Sequence, residues 1–400
     1  MTAISEAAPR AADGRLSRPL VAIMATATGA AVASNYYAQP LLPVMRHDLH
    51  MSAAVAGLMV TVAQVGYAAG LVLLLPLGDL VERRRLVVTL SWLAASGLVV
   101  VGLAPSSAVL LPAAFAVGVV SVMAQVLVPF AASLAGDFER GRVVGIVMSG
   151  LLLGILLART VAGALAQAGT WRVVYFVAAG VMAVQGLVLR ARLPRYREAI
   201  DTGYGRLLKT VLHLVRDEPV LRLRGLYGLL TFGTFSVLWT SVAFLLADRY
   251  HFGPAVIGLF GLIGAAGAVA ASMAGRLSDA GRERSTTGIT SALLVLSWVL
   301  LWLGRDGIGW LVAGILLLDV GTQGLHITNQ GAIYRLRAEA RSRLTAAYMA
   351  MYFAGGAAGS ALSAELYAAH GWDGVTIAGA VFATAAFVVW LIEISLAGNR

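Results

Sequence analysis

The chain has 400 residues, of which 59% are hydrophobic and 12% are charged, and its mean hydropathy is +0.82. A soluble domain of this length needs more polar surface, so this composition excludes an ordinary soluble enzyme or binding domain and makes lipid the expected solvent. The net charge of +10 does not point to a nucleic-acid partner, because the basic residues stand at the ends of apolar runs, where membrane topology explains them.

Residues 1–19 are polar and contain three arginines, with no apolar core or cleavage site, so we interpret them as a cytoplasmic tail. About 20 apolar residues of helix cross a bilayer core about 30 Å thick. Twelve segments of the chain meet that length, which predicts an all-α membrane protein with twelve transmembrane helices. The predicted spans are residues 20–44, 52–77, 86–105, 107–134, 143–167, 171–190, 224–247, 254–278, 285–304, 309–333, 343–368 and 372–397.

The longest loop, residues 191–223, separates a first six-helix half, residues 20–190, from a second, residues 224–397. Its amphipathic stretch from Leu207 to Val215 predicts a surface helix in a cytoplasmic linker, and residues 398–400 form a second cytoplasmic tail. With both termini in the cytoplasm, 25 of the 30 Arg and Lys residues lie on the cytoplasmic side. The predicted location is therefore the bacterial cytoplasmic (inner) membrane.

The two halves repeat each other. Trp171 and Trp372 are 201 residues apart, and each opens the last span of its half. His50 and His251 keep the same offset. Matches at equivalent positions predict an internal duplication, and thus two pseudo-symmetric six-helix bundles around a central cavity, as in carriers that rock about a central site.

The loops after the second and eighth spans each place an acid at a helix end and arginines close behind it. The residues are Asp79, Arg83, Arg84, Asp279 and Arg282. This pattern resembles the signature loop of the major facilitator superfamily, Gly-x-x-x-Asp followed by Gly-Arg-Arg, and implies a conformational latch between the cytoplasmic ends of the halves. The competing interpretation is that the arginines only anchor those ends. The first copy departs from the pattern, with Leu75 and Glu82 in place of two glycines.

The resemblance extends to the first and fifth spans. Residues 34–42 read SNYYAQPLL, and the fifth span has small residues around Arg159 at the spacing of the superfamily's antiporter motif, with arginine where that motif has proline. Small residues at this spacing also allow close helix packing, which is a sufficient structural reason for them. Together these segments resemble the arabinose-efflux-permease-like branch of the bacterial drug/proton antiporters.

Ionisable groups inside a membrane cost a few kcal/mol each and need a partner or a wet cavity. Asp319 lies about 15 Å into the tenth span, near the midplane, and we interpret it as a group that exchanges protons or binds a cationic substrate. The alternative is a permanent structural ion pair with Arg159. Arg159 lies about 25 Å along its span, level with Asn35 and Gln39, so we predict a shared polar pocket.

His326 and Gln323 share the tenth span with Asp319. The imidazole could move protons, or it could only hydrogen-bond to a neighbouring helix. In the resembling family the cavity would also take four aromatic side chains, which suit planar or amphipathic solutes but also serve as packing groups or interface anchors. These are Tyr36, Trp239, Tyr348 and Tyr352.

The sequence lacks the motifs that mark other functional classes. The only lysine, Lys209, follows a leucine, so no phosphate-binding loop supports an ATP-driven pump. The chain has no cysteine and no His-Glu-x-x-His pattern, so we expect no metal, no cofactor and no enzymatic activity, with a membrane-embedded enzyme as the alternative from another class. We predict a monomeric secondary transporter that exports a small organic solute or drug in exchange for protons. Uptake by symport or facilitated diffusion is the alternative.

Overall fold

A computed structural model describes residues 4–5, 16–136, 138–197, 203–279, 281–336 and 341–398. These residues form a helical bundle in which the twelve predicted spans are confirmed. The helix bounds, in chain order, are Arg18–Ala33 with Leu42–Asp48, Ala53–Leu73, Arg83–Leu103, Ser107–Ser121 with Met123–Leu134, Arg140–Ala168, Trp171–Arg192, Pro219–Asp248, Pro254–Leu259 with Ala265–Asp279, Glu283–Leu303, Ile308–Tyr334 and Arg341–Gly398. The last helix contains two spans, because Gly371, at φ 61°, takes the left-handed backbone that glycine favours and interrupts it.

The outer surface of the bundle is apolar, whereas polar groups lie inside. Leu103, Ile289 and Ile377 are 64%, 60% and 65% exposed, while Gln39 and Arg159 are each only 3% exposed. A soluble protein rarely leaves so much apolar surface in water. The distribution is the one expected of helices whose outer faces contact hydrocarbon.

The duplication is visible in the backbone. Among the described residues, the non-glycine positions with positive φ are His50, at 50°, and His251, at 55°. Each lies in the turn after the first span of its half, and the two are 201 residues apart. Since this conformation is uncommon for residues other than glycine, its recurrence at the repeat offset supports the two pseudo-symmetric halves.

The segment that joins the halves lies at one end of the bundle, which we call the linker end; the opposite end is the far end. Tyr196–Arg197 forms a short antiparallel strand pair with Ile4–Ser5. A helix, Tyr204–Asp217, follows. The hydroxyl of Tyr204 donates to the carbonyl of Leu73 over 2.8 Å, which ties the start of this helix to the second span.

Spans 2 and 11 bring the two halves together. Gly57 packs directly on Ala364, with no room for a side chain on the glycine. One turn further along, the hydroxyl of Thr61 donates to the hydroxyl of Ser360 over 3.1 Å. Small residues allow this close approach, and the hydroxyls of the half-buried Thr61 and the buried Ser360 satisfy each other.

Spans 5 and 8 make the second contact between the halves. Gly163 packs against Gly258, and the hydroxyl of Thr160 donates to the carbonyl of Gly258 over 3.1 Å. Nearer the surface, Arg46 of the first half pairs with Asp248 of the second at 3.5 Å. These contacts all lie in the far half of the bundle, so the halves are closed together at the far end.

We predict that the double variant Thr61→Cys with Ser360→Cys forms a disulfide on mild oxidation. The chain has no cysteine of its own, so no other thiol can compete. A cross-link between the halves should raise the free energy of unfolding by about 2–4 kcal/mol, measured as thermal unfolding in detergent before and after reduction. Each single cysteine variant is the control. A double variant that stays reduced under oxidising conditions would contradict the contact.

At the far end, Asp48 joins the end of the first span to the start of the sixth. Its carboxylate forms a close ion pair with Arg172 and accepts a hydrogen bond from the indole N–H of Trp171 over 2.8 Å. The hydrogen bond from Arg172, and then that from Trp171, hold the pKa of Asp48 below its ordinary value of 3.8. Because the folded pKa is lowered, the stabilisation is complete above the ordinary pKa and is lost as the pH falls through the folded value.

Asp48→Asn should therefore lower the stability at pH 7 by up to about 1 kcal/mol, the usual size of an exposed pair. The difference from the unmodified chain should shrink as the pH falls below 3.8, the ordinary pKa of the group. Thermal unfolding across a pH series measures it, and added salt at pH 7 should reduce the difference too. A difference that stays constant with pH would contradict the assignment.

Candidate functional site

Two spans lose their α-helical backbone inside the membrane, and both breaks flank the same side chain. In the first span, the backbone turns and passes through a 3₁₀ segment, Gln39–Leu41. Pro40 lies in this segment and has no N–H to donate to a helical hydrogen bond. In the eighth span the 3₁₀ segment is Phe260–Gly264. Irregular backbone at membrane depth is tolerated where protein covers it, and here both segments surround Arg159.

Arg159 is the centre of the site. Its Nε donates to Oε1 of Gln39 over 2.6 Å. The guanidinium carbon lies 3.8 Å from the ring centre of Trp239 and 5.0 Å from that of Tyr36, distances at which a desolvated cation–π contact is worth about 2 kcal/mol. Within the described part of the chain, its buried Nη2 has no hydrogen-bond partner. The guanidinium therefore keeps one donor for a further acceptor.

Asp319, which is 3% exposed, also contacts Trp239. Its Oδ1 accepts a hydrogen bond from the indole N–H over 3.4 Å. The carboxylate and Arg159 attract each other electrostatically, but the ion pairs of the described residues do not include one between them. We call Tyr36, Gln39, Arg159, Trp239 and Asp319 the arginine cluster. Trp239 contacts both of its opposite charges, Arg159 through the ring face and Asp319 through the indole N–H.

A second group, the histidine cluster, consists of His326, Tyr348 and Tyr352. Nδ1 of His326 is hydrogen-bonded to the hydroxyl of Tyr348 over 2.9 Å. The imidazole ring centre lies 4.6 Å from that of Tyr352. His326 is half-buried, whereas both tyrosines are buried. The contact with Tyr348, on the next span, agrees with the simpler of the two roles considered for this histidine.

Stacked rings connect the two clusters. Tyr352 stacks on Phe232 at 4.1 Å between ring centres, and Phe232 stacks on Phe235 at 5.5 Å. Phe235 in turn lies 5.8 Å from the guanidinium of Arg159 and 6.1 Å from the ring of Trp239. The result is a continuous aromatic wall along spans 7 and 11, a surface on which a planar solute could stack.

Two of the predicted cavity residues lie outside both clusters. Asn35 lines a small cavity inside the first half, with a volume of about 20 Å³, beside Tyr175. Neither amide atom of Asn35 nor the hydroxyl of Tyr175 has a hydrogen-bond partner among the described residues. The predicted pocket of Asn35 and Gln39 is therefore divided, since only Gln39 reaches Arg159. Gln323 is half-buried and packs against Gly267 of span 8.

At the linker end, the basic residues proposed for the latch have partners in the first half and the linker. Arg83 is 5% exposed and donates through Nε to the carbonyl of Gly78, at 3.0 Å, and through Nη1 to the hydroxyl of Ser133, at 2.8 Å. Arg84 donates to the carbonyl of Leu193 over 3.0 Å. These bonds fix the loop after the second span to its own half.

The acids of the proposed latch, Asp79 and Asp279, have side chains that lie outside the described part of the structure. The backbone of Arg282 donates to the carbonyl of Leu277 over 2.9 Å, which forms the turn between spans 8 and 9. The latch therefore stays a prediction.

A polar seam between the halves was not predicted from the sequence. Gln64 of the first half donates through Nε2 to the hydroxyl of Ser236 of the second over 3.0 Å. Within the second half, Thr240 donates over 3.0 Å to Ser360, the hydroxyl that Thr61 of the first half also contacts. In the described structure, Oε1 of Gln64 is buried without a partner. The signal was present, because Ser236 and Thr240 are one turn apart on an apolar span, the spacing of residues that hydrogen-bond across helices.

The structure has twelve spans in two related halves, an apolar outer surface and a buried polar site between the halves. Together these features define a multi-pass integral membrane carrier. The family model described as Major Facilitator Superfamily matches residues 24–338 of the chain. The chain belongs to this family, and it is a membrane transporter of the major facilitator type.

Its relatives are named as transporters without an assigned solute. The uncharacterized transporter YgaY of Escherichia coli O157:H7 is 50% identical over 94% of this chain and 95% of its own. A probable transporter of Streptomyces coelicolor, SCO4007, is 36% identical over 93% of this chain and 86% of its own. These similarities establish the class of protein.

Solved structures share the fold at low sequence identity. A bacterial homologue of the human lysosomal transporter Spinster, in an inward-facing and occupied conformation, has a TM-score of 0.79 and 12% identity, covering 94% of this chain and 97% of its own. The nucleoside transporter NupG has a TM-score of 0.76 and 11% identity, covering 93% of this chain and 99% of its own. At such identities the similarity concerns the architecture alone.

We expect Trp239→Phe to separate the two functions of this indole. Phenylalanine keeps a ring face for Arg159 but removes the N–H that Asp319 accepts, so the loss of stability should be about 1–2 kcal/mol. Arg159→Met removes the charge, the bond to Gln39 and the ring contact, and should cost more, about 2–4 kcal/mol. Thermal unfolding in detergent measures both. Equal effects of the two variants would contradict the central position of Arg159.

Proposed function

We propose that this chain exports a small organic solute in exchange for protons, with its two halves alternating access to the arginine cluster. The observation that carries the proposal is Asp319, a buried carboxyl at mid-span whose described hydrogen-bond donor is Trp239. A carboxyl in the membrane is costly, so it is a functional group by default. If a solute and a proton compete for this carboxylate, each half-cycle carries one of them, which is antiport.

The solute is a planar or amphipathic molecule, which the aromatic wall from Phe235 to Tyr352 would bind by stacking. The resemblance of residues 34–42 and of the fifth span to drug/proton antiporters supports export. Neither cofactor nor ATP is required, because the proton gradient supplies the energy. His326 and Gln323 contribute further polar contacts at the linker side of the wall.

The charge bias of the loops supports a bacterial inner-membrane location with both termini in the cytoplasm. The linker end is then cytoplasmic, and the contacts from Gly57 to Thr61 seal the periplasmic side. In this scheme the protein works as a monomer, and Asp79 and Asp279 hold the cytoplasmic ends together in the opposite state.

A second candidate is proton-coupled uptake of an organic anion, and Arg159 favours it. Its free, buried Nη2 is a donor suited to a carboxylate. An anion bound there would compete with Asp319 for the positive charge and so would favour protonation of that carboxyl. Anion and proton would then load together, which is symport.

The test is transport into proteoliposomes with an acidic lumen, using planar aromatic cations and planar aromatic carboxylates as probes. Antiport predicts that a probe accumulates inside as protons leave, whereas symport predicts that a preloaded probe is expelled with them. Asp319→Asn should abolish movement against the gradient, while exchange of labelled for unlabelled probe continues.

Asp373→Asn is the matched control, because it makes the same change in an exposed far-end carboxylate that pairs with Arg305. It should leave coupling intact. Coupled transport by Asp319→Asn at the unmodified rate would exclude Asp319 as the proton carrier in either scheme.

A further inference from the structure

A groove on the outside of the second half, between spans 7 and 12, lies next to the linker end. Its volume is about 540 Å³. The walls are apolar and consist of Leu223, Leu226, Val389, Ile392 and Leu396. Leu226, Ile392 and Leu396 are 41%, 53% and 64% exposed, so the groove opens towards the surrounding hydrocarbon.

Arg284 lies at the rim of this groove and is exposed. Among the described residues, its guanidinium takes part in no hydrogen bond or ion pair. Arg84 holds the equivalent place in the first half, since each is the second residue of the third helix of its half, and it donates to the carbonyl of Leu193 over 3.0 Å. The same position is therefore engaged in one half and available in the other.

The depth of Arg284 is set by its neighbour on span 12. The indole N–H of Trp390 donates to the backbone carbonyl of Arg284 over 2.8 Å. Tryptophans concentrate at the level of lipid headgroups, where a ring can be apolar on its face and hydrogen-bonded at its N–H. Arg284 thus lies where apolar groove and headgroup region meet.

The other charge in the groove is already neutralised. Glu393 pairs with Arg224 at 3.3 Å and accepts a hydrogen bond from the hydroxyl of Tyr227 over 2.8 Å. Arg224 also donates to the hydroxyl of Thr287 over 3.2 Å. The charge that the groove presents to a ligand is consequently the positive charge of Arg284.

We infer that this groove binds an anionic phospholipid, with the phosphate at Arg284 and an acyl chain along Leu226 and Ile392. Guanidinium and phosphate form charge-assisted, bidentate hydrogen bonds. Because the hydrocarbon around the protein is as apolar as the groove, the acyl chain gains only packing, and the choice between lipids rests on the charge. This inference does not depend on the proposed transport cycle.

Because the halves repeat, the first half has an equivalent groove, and its described lining residues include no cation. Between spans 1 and 6 lies a groove, also of about 540 Å³, in which Ala22 and Val188 correspond to Leu223 and Val389 at the 201-residue offset. The described residues that line it are apolar apart from a threonine and Gln185, and they include no arginine. It should bind an acyl chain without preference for a headgroup charge.

The experiment is native mass spectrometry of the purified full chain with phosphatidylglycerol and phosphatidylcholine of identical acyl chains. The unmodified chain should retain one phosphatidylglycerol in preference to phosphatidylcholine, and Arg284→Ala should reduce that preference about tenfold, the value of one charge-assisted contact. Arg85→Ala removes an exposed arginine at the same end of the first half and should leave the preference unchanged. An unchanged preference in Arg284→Ala would overturn the inference.

Filling the groove with a large side chain tests whether an acyl chain binds there. Val389→Trp should abolish the preference for phosphatidylglycerol, and Val188→Trp, which fills the matched groove, should not. Inorganic phosphate at millimolar concentration should fail to displace the lipid, since it makes no use of the groove. Displacement by phosphate, or full retention by Val389→Trp, would mean that Arg284 binds a free anion and would overturn the lipid assignment.

Discussion

The structure depends on how one buried guanidinium is accommodated. A cation in the hydrocarbon region is costly unless its donors and its charge are both satisfied. Arg159 meets this requirement only in part, with a neutral amide, Gln39, and with ring faces, while its Nη2 has no hydrogen-bond partner among the described residues. The non-helical segment of the first span places Gln39 beside the guanidinium, and that of the eighth span leaves room for the arginine side chain at Gly261.

That arrangement differs from a tight ion pair in its consequences. A direct pair would be hard to separate, because each partner would be left with an uncompensated charge. Here both charges contact one indole, and the ion pairs of the described residues do not include one between them. Binding of a ligand or a proton at one charge can therefore alter the balance at the other without breaking a short bond first.

The sequence predicted the spans because their length and composition follow directly from the thickness of the bilayer. Depth along the helices also placed Arg159 level with Gln39, and the two side chains are hydrogen-bonded. It could not predict that Trp239 contacts both charges, nor that Asn35 lines a cavity inside its own half, because depth does not specify rotation about the helix axis. The helix of the first span ends at Ala33, so Asn35 and Gln39 do not lie on one continuous helix, and this is the physical reason for that error.

The contact between the halves is built from glycines, hydroxyls, backbone carbonyls and the amide of Gln64, and it includes an exposed charged pair, Arg46 and Asp248. An interface of this kind has many weak attachments and no dominant one, so its strength can be adjusted in small steps. The population of the closed state can then be shifted by adding or removing a methyl group far from the solute. Natural variants can therefore differ in transport rate without any substitution in the binding site.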